Sequence, residues 1–504
     1  MVSVKTYVDN AYIRTYVSMG KFLLPTLELR MNAITGTNAV KLDDVLARQR
    51  GAFLRDGAPS LEQRRSDLKT LRAAVIARRG GIEDALIADF GHRSRCETAI
   101  MELTSLVLGV DYLHRHLRRF MRPTRRHVAM TMRLGCARIE YQPLGVVGII
   151  SPWNYPLSLA LMPLATALAA GNRAMIKPSE FTPATSELLK AMLGEIFAEE
   201  QVAVVTGDSA LGAAFAALPF DHLVFTGSTG VGRAVMKAAS DNLVPVTLEL
   251  GGKSPVVVGK GHSLDHAASS IAYGKLANAG QTCVAPDYAL VHESEIQPFV
   301  AAYGAAVATL YPEGPVSDDY TSIINDRHHA RLVGLLDDAR SKGARVVEVG
   351  RKPGEASSRP HTLAPSIVLG ATDDMRIMQD EIFGPILPIL PYRDADEAIA
   401  YVNARPRPLA LYYFGDEGDE KRNILSRTTS GNVTVNGTLM HYAQDDLPFG
   451  GVGPSGMGAY HGVEGFRALS HAKGIFEQGR WNGGNLLRAP FGRVADTILK
   501  ALLR

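Results

Sequence analysis

The order of apolar and polar residues divides the chain into a helical first part and a longer part in which strands and helices alternate. Between residues 42 and 90, and again between 101 and 121, apolar side chains recur at helical spacing, which predicts amphipathic helices. After Pro123 the pattern changes to short continuous apolar runs, as in strands that are buried on both faces. We therefore expect helices before residue 123 and an α/β arrangement after it.

The apolar runs of the second part end repeatedly at glycine, serine, threonine or proline and alternate with helical segments. They span residues 144–150, 174–176, 201–205, 222–225 and 244–248. This alternation predicts a doubly wound parallel sheet, whose ligands bind beyond the carboxyl ends of the strands. A second α/β segment begins near Cys283, with a strand at 289–291 and a helix at 298–310. The catalytic residues are expected at strand ends.

The hydropathy pattern argues against a membrane span or a secretory leader. The longest apolar stretch, residues 157–170, carries Pro163 and is shorter than the roughly 18 to 20 residues that cross a bilayer, so we expect a buried helix. The run at residues 22–24 is too short for a secretory core. Residues 1–40 are interpreted as an N-terminal extension outside the fold, and a cytoplasmic location is expected.

Composition is that of an ordinary globular protein with extra glycine. The chain has 504 residues, 46% of them hydrophobic and 21% charged, which suits two or three domains. Its net charge of +3 is too small for a nucleic-acid-binding surface. Three widely spaced cysteines exclude a disulfide scaffold and favour a reducing compartment. Of the 48 glycines, many fall in clusters at the ends of predicted strands.

One such cluster, Gly227 to Gly232, follows a predicted strand and opens a predicted helix. Glycines in that position let the backbone approach a pyrophosphate, while the helix N-terminus offers free N–H groups. A tight turn without a ligand would give the same pattern, so residue type alone leaves both interpretations open. A P-loop at Lys253 is excluded, because Thr247 stands where that motif needs glycine.

Cys283 and Glu249 are the candidate catalytic residues. Cys283 lies between a polar segment and a turn-forming one, whereas Cys96 and Cys136 are interpreted as inert. Glu249 stands among apolar and glycine residues, so its carboxylate either pairs with a cation or has a raised pKa suited to a general base.

Several motifs in one order resemble those of the aldehyde dehydrogenase superfamily. They include Glu249-Leu-Gly-Gly-Lys-Ser-Pro255 and Gly280-Gln-Thr-Cys283, whose carboxylate and thiol residues are 34 positions apart. The others are Pro152-Trp-Asn-Tyr-Pro156, Lys177-Pro-Ser-Glu180, Phe225-Thr-Gly-Ser-Thr-Gly230, Glu381-Ile-Phe-Gly-Pro385 and Pro448-Phe-Gly-Gly-Val-Gly-Pro-Ser-Gly-Met-Gly458. The resemblance extends from about residue 40 to residue 475.

The resemblance implies oxidation of an aldehyde to a carboxylic acid through a covalent cysteine intermediate. Cys283 would attack the aldehyde carbon, and the Asn154 amide together with the Cys283 backbone N–H would hold the resulting oxyanion. Glu249 would then activate the water that hydrolyses the thioester. The implied cofactor is NAD, with NADP use left open and no metal expected. The implied cofactor-binding residues are Trp153, Lys177, Glu180, Gly227, Ser228, Thr229, Gly230, Val231, Gly232, Gly251, Glu381 and Phe383.

The segments around Cys283, residues 408–414 and residues 452–461 are most similar to the class 3 branch, and within it to bacterial coniferyl aldehyde dehydrogenases. This similarity implies oxidation of coniferyl aldehyde to ferulate by a homodimer. Medium or long aliphatic aldehydes are the second choice of substrate. Transfer of the acyl group to CoA, and a catalytically idle scaffold on the same fold, are the competing hypotheses. Retention of Glu249 favours water over CoA.

The resemblance also implies a division into domains. Residues 41–247 would form a Rossmann-type cofactor domain that includes part of a small β oligomerisation arm near 137–147. Residues 248–440 would form the catalytic domain. Residues 441–504 would return to the cofactor domain and add an oligomerisation strand. The tail from residue 486 to residue 504 is amphipathic and is expected to pack on the body or on a partner subunit rather than on a membrane.

Overall fold

The computed structural model describes residues 42–129, 132, 134–350, 359–480 and 483–503. The extension predicted for residues 1–40 lies outside these ranges. The helices are α1 (residues 42–56), α2 (Leu61–Ala77), α3 (Arg79–Phe90), α4 (Arg95–Thr98), α5 (Ser105–Phe120), α6 (Ser158–Ala170), α7 (Pro183–Ile196), α8 (Ser209–Ala216), α9 (Thr229–Ser240), α10 (Leu264–Leu276), α11 (Ile296–Leu310), α12 (Asp326–Ser341), α13 (Arg376–Gln379), α14 (Ala395–Asn403), α15 (Asp419–Arg427), α16 (Met440–Ala443), α17 (Gly462–Ala468) and α18 (Arg493–Leu502).

A π-helix, Ala99–Thr104, joins α4 to α5, and short 3-10 segments occur at Ala277–Gly280, Glu293–Glu295, Gly314–Val316 and Gly483–Leu487. The strands are β1 (Thr124–Arg126), β2 (Cys136–Pro143), β3 (Val146–Ile150), β4 (Arg173–Lys177), β5 (Val202–Val204), β6 (His222–Thr226), β7 (Val246–Glu249), β8 (Pro255–Val258), β9 (Tyr288–His292), β10 (Arg345–Glu348), β11 (Ser366–Leu369), β12 (Ile386–Tyr392), β13 (Ala410–Phe414), β14 (Asn432–Val435), β15 (Gly456–Met457) and β16 (Ser470–Glu477). The predicted helical first part and the α/β remainder are both confirmed.

The first large sheet has the strand order β15-β7-β6-β3-β4-β5. Its members β3 to β7 pair in parallel, and β15 returns antiparallel to β7. Strand order therefore reverses between β3 and β6, and the crevice beyond such a reversal is where doubly wound sheets bind ligands. The apolar stretch near Pro163 forms α6, which is buried on every side because it lacks a polar face.

The second sheet has the order β10-β11-β12-β9-β8-β13-β14, in which only β10 pairs antiparallel. The chain leaves the first sheet at Glu249 and enters the second at Pro255, close to the domain boundary predicted at residue 248. The segment that carries Cys283 connects α10 to β9, so the thiol precedes a strand instead of following one. The prediction that both catalytic residues follow the ends of strands was therefore wrong for Cys283. Glu249 ends β7, whereas Cys283 lies in the segment before β9 of the second sheet.

A small third sheet, β1-β2-β16, is antiparallel and projects from the body. Most of β16 is exposed along its length, and β16 pairs only with β2. At the C-terminus α18 forms as the amphipathic pattern predicts, yet Val494, Leu499 and Leu502 are 56%, 42% and 57% exposed. The described part of the chain therefore leaves this apolar face uncovered, and packing on a partner subunit, the other alternative, stays a prediction. Within the described ranges, every helix is too short or too polar to cross a membrane.

Candidate functional site

Two cavities meet at Cys283, in the cleft where the two large sheets face each other. The first, of about 300 Å³, is lined by residues that follow β3, β6 and β7 and by parts of the second sheet. We call it the cofactor cavity because half of the cofactor residues predicted from the sequence line it. The second, of about 160 Å³, is lined mainly by apolar and aromatic side chains, and we call it the aldehyde cavity. Cys283 lines both cavities, so its thiol stands at their junction.

The backbone before Cys283 is strained and is held in place by buried hydrogen bonds. Asn278 and Ala279 have φ values of +52° and +51°, a left-handed conformation that non-glycine residues rarely adopt. The Asn278 N–H donates to the Glu97 carboxylate at 2.6 Å, and that carboxylate also accepts from Thr321 at 2.5 Å. The side chain of Gln281 bonds to the carbonyl of Asn278 at 2.9 Å. These contacts fix the loop that presents the thiol.

Asn154 lies beside this loop, and both its side-chain amide and its backbone carbonyl form hydrogen bonds. Its side-chain amide donates to the Gln281 carbonyl at 3.0 Å. Its own carbonyl accepts from Arg93 at 2.9 Å and from the Asn278 side chain at 3.0 Å. The residue is almost fully buried and lines the cofactor cavity beside Cys283. The amide is therefore positioned by the same residues that shape the thiol loop.

The Arg93 guanidinium that holds Asn154 faces Glu102 across 3.3 Å, and both side chains are fully buried. Glu102 lies in the π-helix and accepts from the N–H groups of Leu157 and Ser158, at 3.0 Å and 2.9 Å, where α6 begins. Arg93 also lies over the rings of Phe90 and Tyr155, at 4.7 Å and 5.1 Å, which adds cation–π attraction. Burial nevertheless raises the pKa of Glu102, with Arg93 opposing that shift.

Glu249 ends β7 with its carboxylate buried in the wall of the cofactor cavity. Neither carboxylate oxygen has a hydrogen-bond partner within the described residues. Burial raises its pKa well above the ordinary range. Of the two alternatives that the sequence left open, pairing with a cation or a raised pKa, the structure shows the second. A buried carboxyl of this kind is suited to accept a proton from a water molecule in the cavity.

Burial raises the pKa of the Cys283 thiol to about 12, and the carboxylates of Glu381 and Glu249 raise it further by charge repulsion. Burial, and then Asp287, raise the pKa of Glu381 to about 8. Burial, reinforced by the charges of Glu381 and Glu249, therefore disfavours the ionisation of the thiol. The protein on its own keeps its thiol protonated.

The glycine turn after β6 is joined directly to Glu249, since the Gly227 N–H donates to the Glu249 carbonyl at 3.0 Å. Ser228 caps α9 by accepting from the Val231 N–H at 3.4 Å. Gly227 and Ser228 line the cofactor cavity, while Thr229, Gly230, Val231 and Gly232 lie further along α9 and do not. A Cβ at Gly230 would meet nothing within 4 Å, so the start of this helix is open to a ligand.

Glu381, Phe383 and Trp153 close the opposite wall of the cofactor cavity. A Cβ at Gly251 would lie 2.1 Å from a Glu381 carboxylate oxygen, so glycine is needed there for the carboxylate to occupy its place. Phe383 has a φ of +50° and meets Trp153 edge-on, with ring centroids 5.3 Å apart. The aromatic wall is therefore part of the cavity rather than of the core.

Lys177 and Glu180 lie outside the cofactor cavity, where β4 ends. Their side chains form an ion pair at 2.7 Å, with Lys177 buried and Glu180 about one-third exposed. They stand at the same edge of the sheet as the start of α9 and are free to receive a ligand that extends along that edge. Nine of the fifteen predicted site residues therefore line the cofactor cavity, whereas Lys177, Glu180, Thr229, Gly230, Val231 and Gly232 do not.

His328 and Arg331, both on α12, line the cofactor cavity but were missed in the sequence. The His328 ring lies 4.8 Å from that of Trp153, and burial lowers its pKa to about 4. Arg331 donates to the carbonyls of Glu381 and Ile382 at 3.2 Å and 2.6 Å. A histidine and an arginine on a polar helix are typical of a solvated surface, so nothing in the local pattern marks them.

Comparison with known proteins agrees with this geometry. Residues 23–475 match the aldehyde dehydrogenase family. A Pseudomonas aeruginosa protein named "Probable coniferyl aldehyde dehydrogenase" is 50% identical over 462 residues, which cover 92% of this chain and 96% of that protein. Aldehyde dehydrogenase family 3 member A2 of Mus musculus is 39% identical over 447 residues, covering 88% and 90%.

Among solved structures, the substrate-bound state of Staphylococcus aureus AldH superposes with a TM-score of 0.86 at 36% identity, covering 92% of this chain and 99% of that one. The chain belongs to the aldehyde dehydrogenase family, and the protein is an enzyme with aldehyde dehydrogenase activity. The similarity to the class 3 branch and to coniferyl aldehyde dehydrogenases is confirmed.

Glu102→Gln should destabilise the protein by about 3–5 kcal/mol, because it leaves the buried Arg93 charge without its partner while keeping an oxygen for the α6 N–H groups. Chemical unfolding measures the loss. Glu397→Gln, which breaks an exposed pair with Arg393, is the control and should change stability little. Equal unfolding midpoints for the two variants would contradict the importance given to the buried pair.

Alkylation of Cys283 by iodoacetamide should be slow near neutral pH in the protein without ligands and should speed up about tenfold per pH unit, since only the thiolate reacts. Mass spectrometry of the Cys283 peptide follows the rate without interference from Cys96 and Cys136. Above about pH 8, where the Glu381 carboxylate is ionised, Glu381→Gln removes a charge that raises the thiol pKa, so modification at a fixed pH in that range should become faster. A slower rate in that variant would contradict the conclusion that the Glu381 charge raises the pKa of the thiol.

Proposed function

We propose that this enzyme oxidises an aldehyde to a carboxylic acid through a covalent intermediate on Cys283, with NAD or NADP as hydride acceptor. The observation that carries the proposal is the juxtaposition of three groups at one cavity: the thiol of Cys283, the amide of Asn154 and the unpartnered carboxyl of Glu249. A nucleophile, an oxyanion donor and a base are the set that acyl-enzyme chemistry requires.

The residues present fit a dinucleotide. The capped start of α9 offers backbone N–H groups for a pyrophosphate, and Gly251 leaves the space that Glu381 needs to face a ribose. Trp153 and Phe383 supply aromatic walls for a flat ring. When bound, the nicotinamide ring accepts the hydride. Every other task of the reaction falls to residues of the chain.

The chain's part of the reaction follows in order. The Cys283 thiol passes its proton to water in the cavity and its sulfur bonds to the aldehyde carbon. The carbonyl oxygen becomes an oxyanion that the Asn154 amide and the Cys283 backbone N–H stabilise. Loss of hydride from that carbon re-forms the carbonyl as a thioester. Glu249 takes a proton from water, the oxygen of that water adds to the thioester, and the sulfur departs with release of the acid.

Coniferyl aldehyde, oxidised to ferulate, is the proposed substrate. The support is the name of the 50% identical relative together with the apolar and aromatic lining of the aldehyde cavity, which suits a flat ring. Medium or long aliphatic aldehydes are the second candidate, since the same lining accepts an alkyl chain. The buried Glu249 favours water over CoA as the acyl acceptor, because only hydrolysis needs a base at that position.

NAD is the proposed acceptor. The carboxylate of Glu180 would receive ribose hydroxyls and repel a 2′-phosphate, while Lys177 beside it moderates that repulsion. The three free cysteines support a cytoplasmic location.

Cys283→Ala should abolish NADH formation, and Glu249→Gln should release about one equivalent of NADH per site in a burst and then stall, because the thioester forms but is not hydrolysed. Rapid-mixing absorbance at the NADH band, followed by mass analysis of the stalled enzyme, measures both. Cys96→Ala, an exposed cysteine, is the control and should retain full turnover. Steady turnover in Glu249→Gln would remove the carboxylate from the role of base.

Coniferyl aldehyde should be oxidised with a kcat/KM at least about tenfold above that of decanal, with NAD preferred to NADP. A kinetic panel of the two aldehydes with both dinucleotides, with and without CoA, tests the substrate, the acceptor and hydrolysis together. Glu180→Gln should lower the ratio of kcat/KM with NAD to kcat/KM with NADP, and the order of the two aldehydes should stay the same. A strict need for CoA, or a preference for decanal, would overturn the corresponding part of the proposal.

The assembly is proposed to be a homodimer formed through the third sheet. The exposed β16 has an unpaired edge, and such an edge is satisfied by pairing with another chain. Light scattering should give twice the mass of one chain. Phe476→Glu adds charge to this strand, where Phe476 is 45% exposed, and should shift the mass toward one chain. Glu417→Gln, away from the strand, is the control.

A further inference from the structure

A third cavity, of about 200 Å³, adjoins the aldehyde cavity on the side away from the cofactor cavity. The two share a wall formed by Ser105, Ser158 and Tyr442 among others, whereas Cys283 does not line the third cavity. We call it the distal cavity. A molecule bound at the thiol through its carbonyl carbon and longer than the aldehyde cavity would extend toward this space.

His461 is the polar feature of the distal cavity that the protein leaves unexplained. It is 4% exposed, and neither ring nitrogen has a hydrogen-bond partner within the described chain. It occupies the N-cap position of α17 but its side chain does not cap the helix. The rings of Tyr442, Phe449 and Tyr460 surround it, with centroids 5.2, 5.2 and 4.8 Å away. A buried imidazole needs a partner, and because both ring nitrogens are shielded from solvent, a ligand in the distal cavity reaches one of them only when the ring shifts.

Asp445 lines the same cavity and gives it a carboxyl group in addition to the imidazole of His461. Burial raises the pKa of this carboxyl to about 6, and Arg115 opposes the shift. Its backbone oxygen lies close to α17, since a Cβ at Gly462 would be 2.9 Å away. His461 and Asp445 therefore belong to one small region.

Gly109 keeps this region open. It lies inside α5, where glycine is unfavourable compared with alanine. A Cβ there would lie 2.8 Å from the Met162 sulfur and 3.3 Å from an Asp445 carboxylate oxygen. Met162 and Asp445 both line the distal cavity, so a larger residue at position 109 would push its walls inward.

We propose that the distal cavity is a substrate subsite in which His461, assisted by Asp445, hydrogen-bonds a hydroxyl group at the far end of the aldehyde. The substrate class that this subsite selects is the hydroxylated aryl aldehyde. The inference rests on the proposed oxidation at Cys283 and adds the group that recognises the ring substituent. An aldehyde without the hydroxyl leaves the imidazole unpaired, and sites of this kind reject such analogues far more strongly than they reject changes in apolar size.

The test compares 4-hydroxycinnamaldehyde with cinnamaldehyde, which lacks only the hydroxyl. The wild type should favour the hydroxylated aldehyde by about tenfold or more in kcat/KM, mainly through KM. In His461→Phe, which keeps an aromatic ring in the cluster, this ratio should fall to about one. Asp445→Asn should reduce the ratio by a smaller factor, and His266→Phe, a histidine far from the cavity, should preserve it.

Gly109→Ala supplies a second route to the same conclusion if His461→Phe fails to fold. It alters no polar group, and it should lower the ratio by moving Met162 and Asp445. A wild type that does not distinguish the two aldehydes, or a His461→Phe variant in which both substrates lose the same factor, would overturn the subsite. A preference for decanal over both cinnamaldehydes would instead refute the coniferyl assignment, and the hydroxyl ratio would still decide the subsite.

Discussion

The buried ion pair between Arg93 and Glu102 is the interaction on which the arrangement of the site depends. Two charges with no access to water are costly to bury unless further hydrogen bonds complete them. Here one Glu102 oxygen accepts from the start of α6 and one Arg93 nitrogen donates to the carbonyl of Asn154, while the other Glu102 oxygen faces Arg93 at 3.3 Å. The first helical region is thereby connected to Asn154, the proposed oxyanion donor. The irregular π-helix places Glu102 at the point where it reaches α6.

Backbone strain is concentrated around the same cavities. Asn278, Ala279, Phe383 and Leu439 all have positive φ, and each lies next to or within the lining of the cofactor or aldehyde cavity. Such conformations persist only where the surroundings determine them. Glu97 does so for Asn278 by a short charge-assisted hydrogen bond to its N–H. The protein thus uses buried carboxylates twice: Glu102 holds the amide of Asn154 in place, and Glu97 holds the thiol loop.

Local patterns were enough to predict the doubly wound sheet, because each strand is a short apolar run that ends in a turn. They were also enough to predict the buried helix α6, because a helix without a polar face is buried on every side. The motif spacing indicated Cys283, Glu249 and Glu381, which the fold brings to one cleft. Sequence patterns could not show that Cys283 precedes a strand, since that depends on how two sheets face each other. Sequence patterns also did not reveal the positions of His328, Arg331 and Arg93 in the site. Their contacts come from long-range packing, and each residue lies in an ordinary polar stretch.

The protonated state of Cys283 also affects how the enzyme reacts with oxidants when no substrate is bound. Peroxides and other oxidants attack the thiolate in preference to the thiol, and the first product is a sulfenic acid that can no longer act as a nucleophile. With its pKa raised to about 12, the cysteine offers these oxidants almost no reactive form. Burial of the sulfur, reinforced by the charges of Glu381 and Glu249, therefore protects the proposed nucleophile from oxidative damage between turnovers.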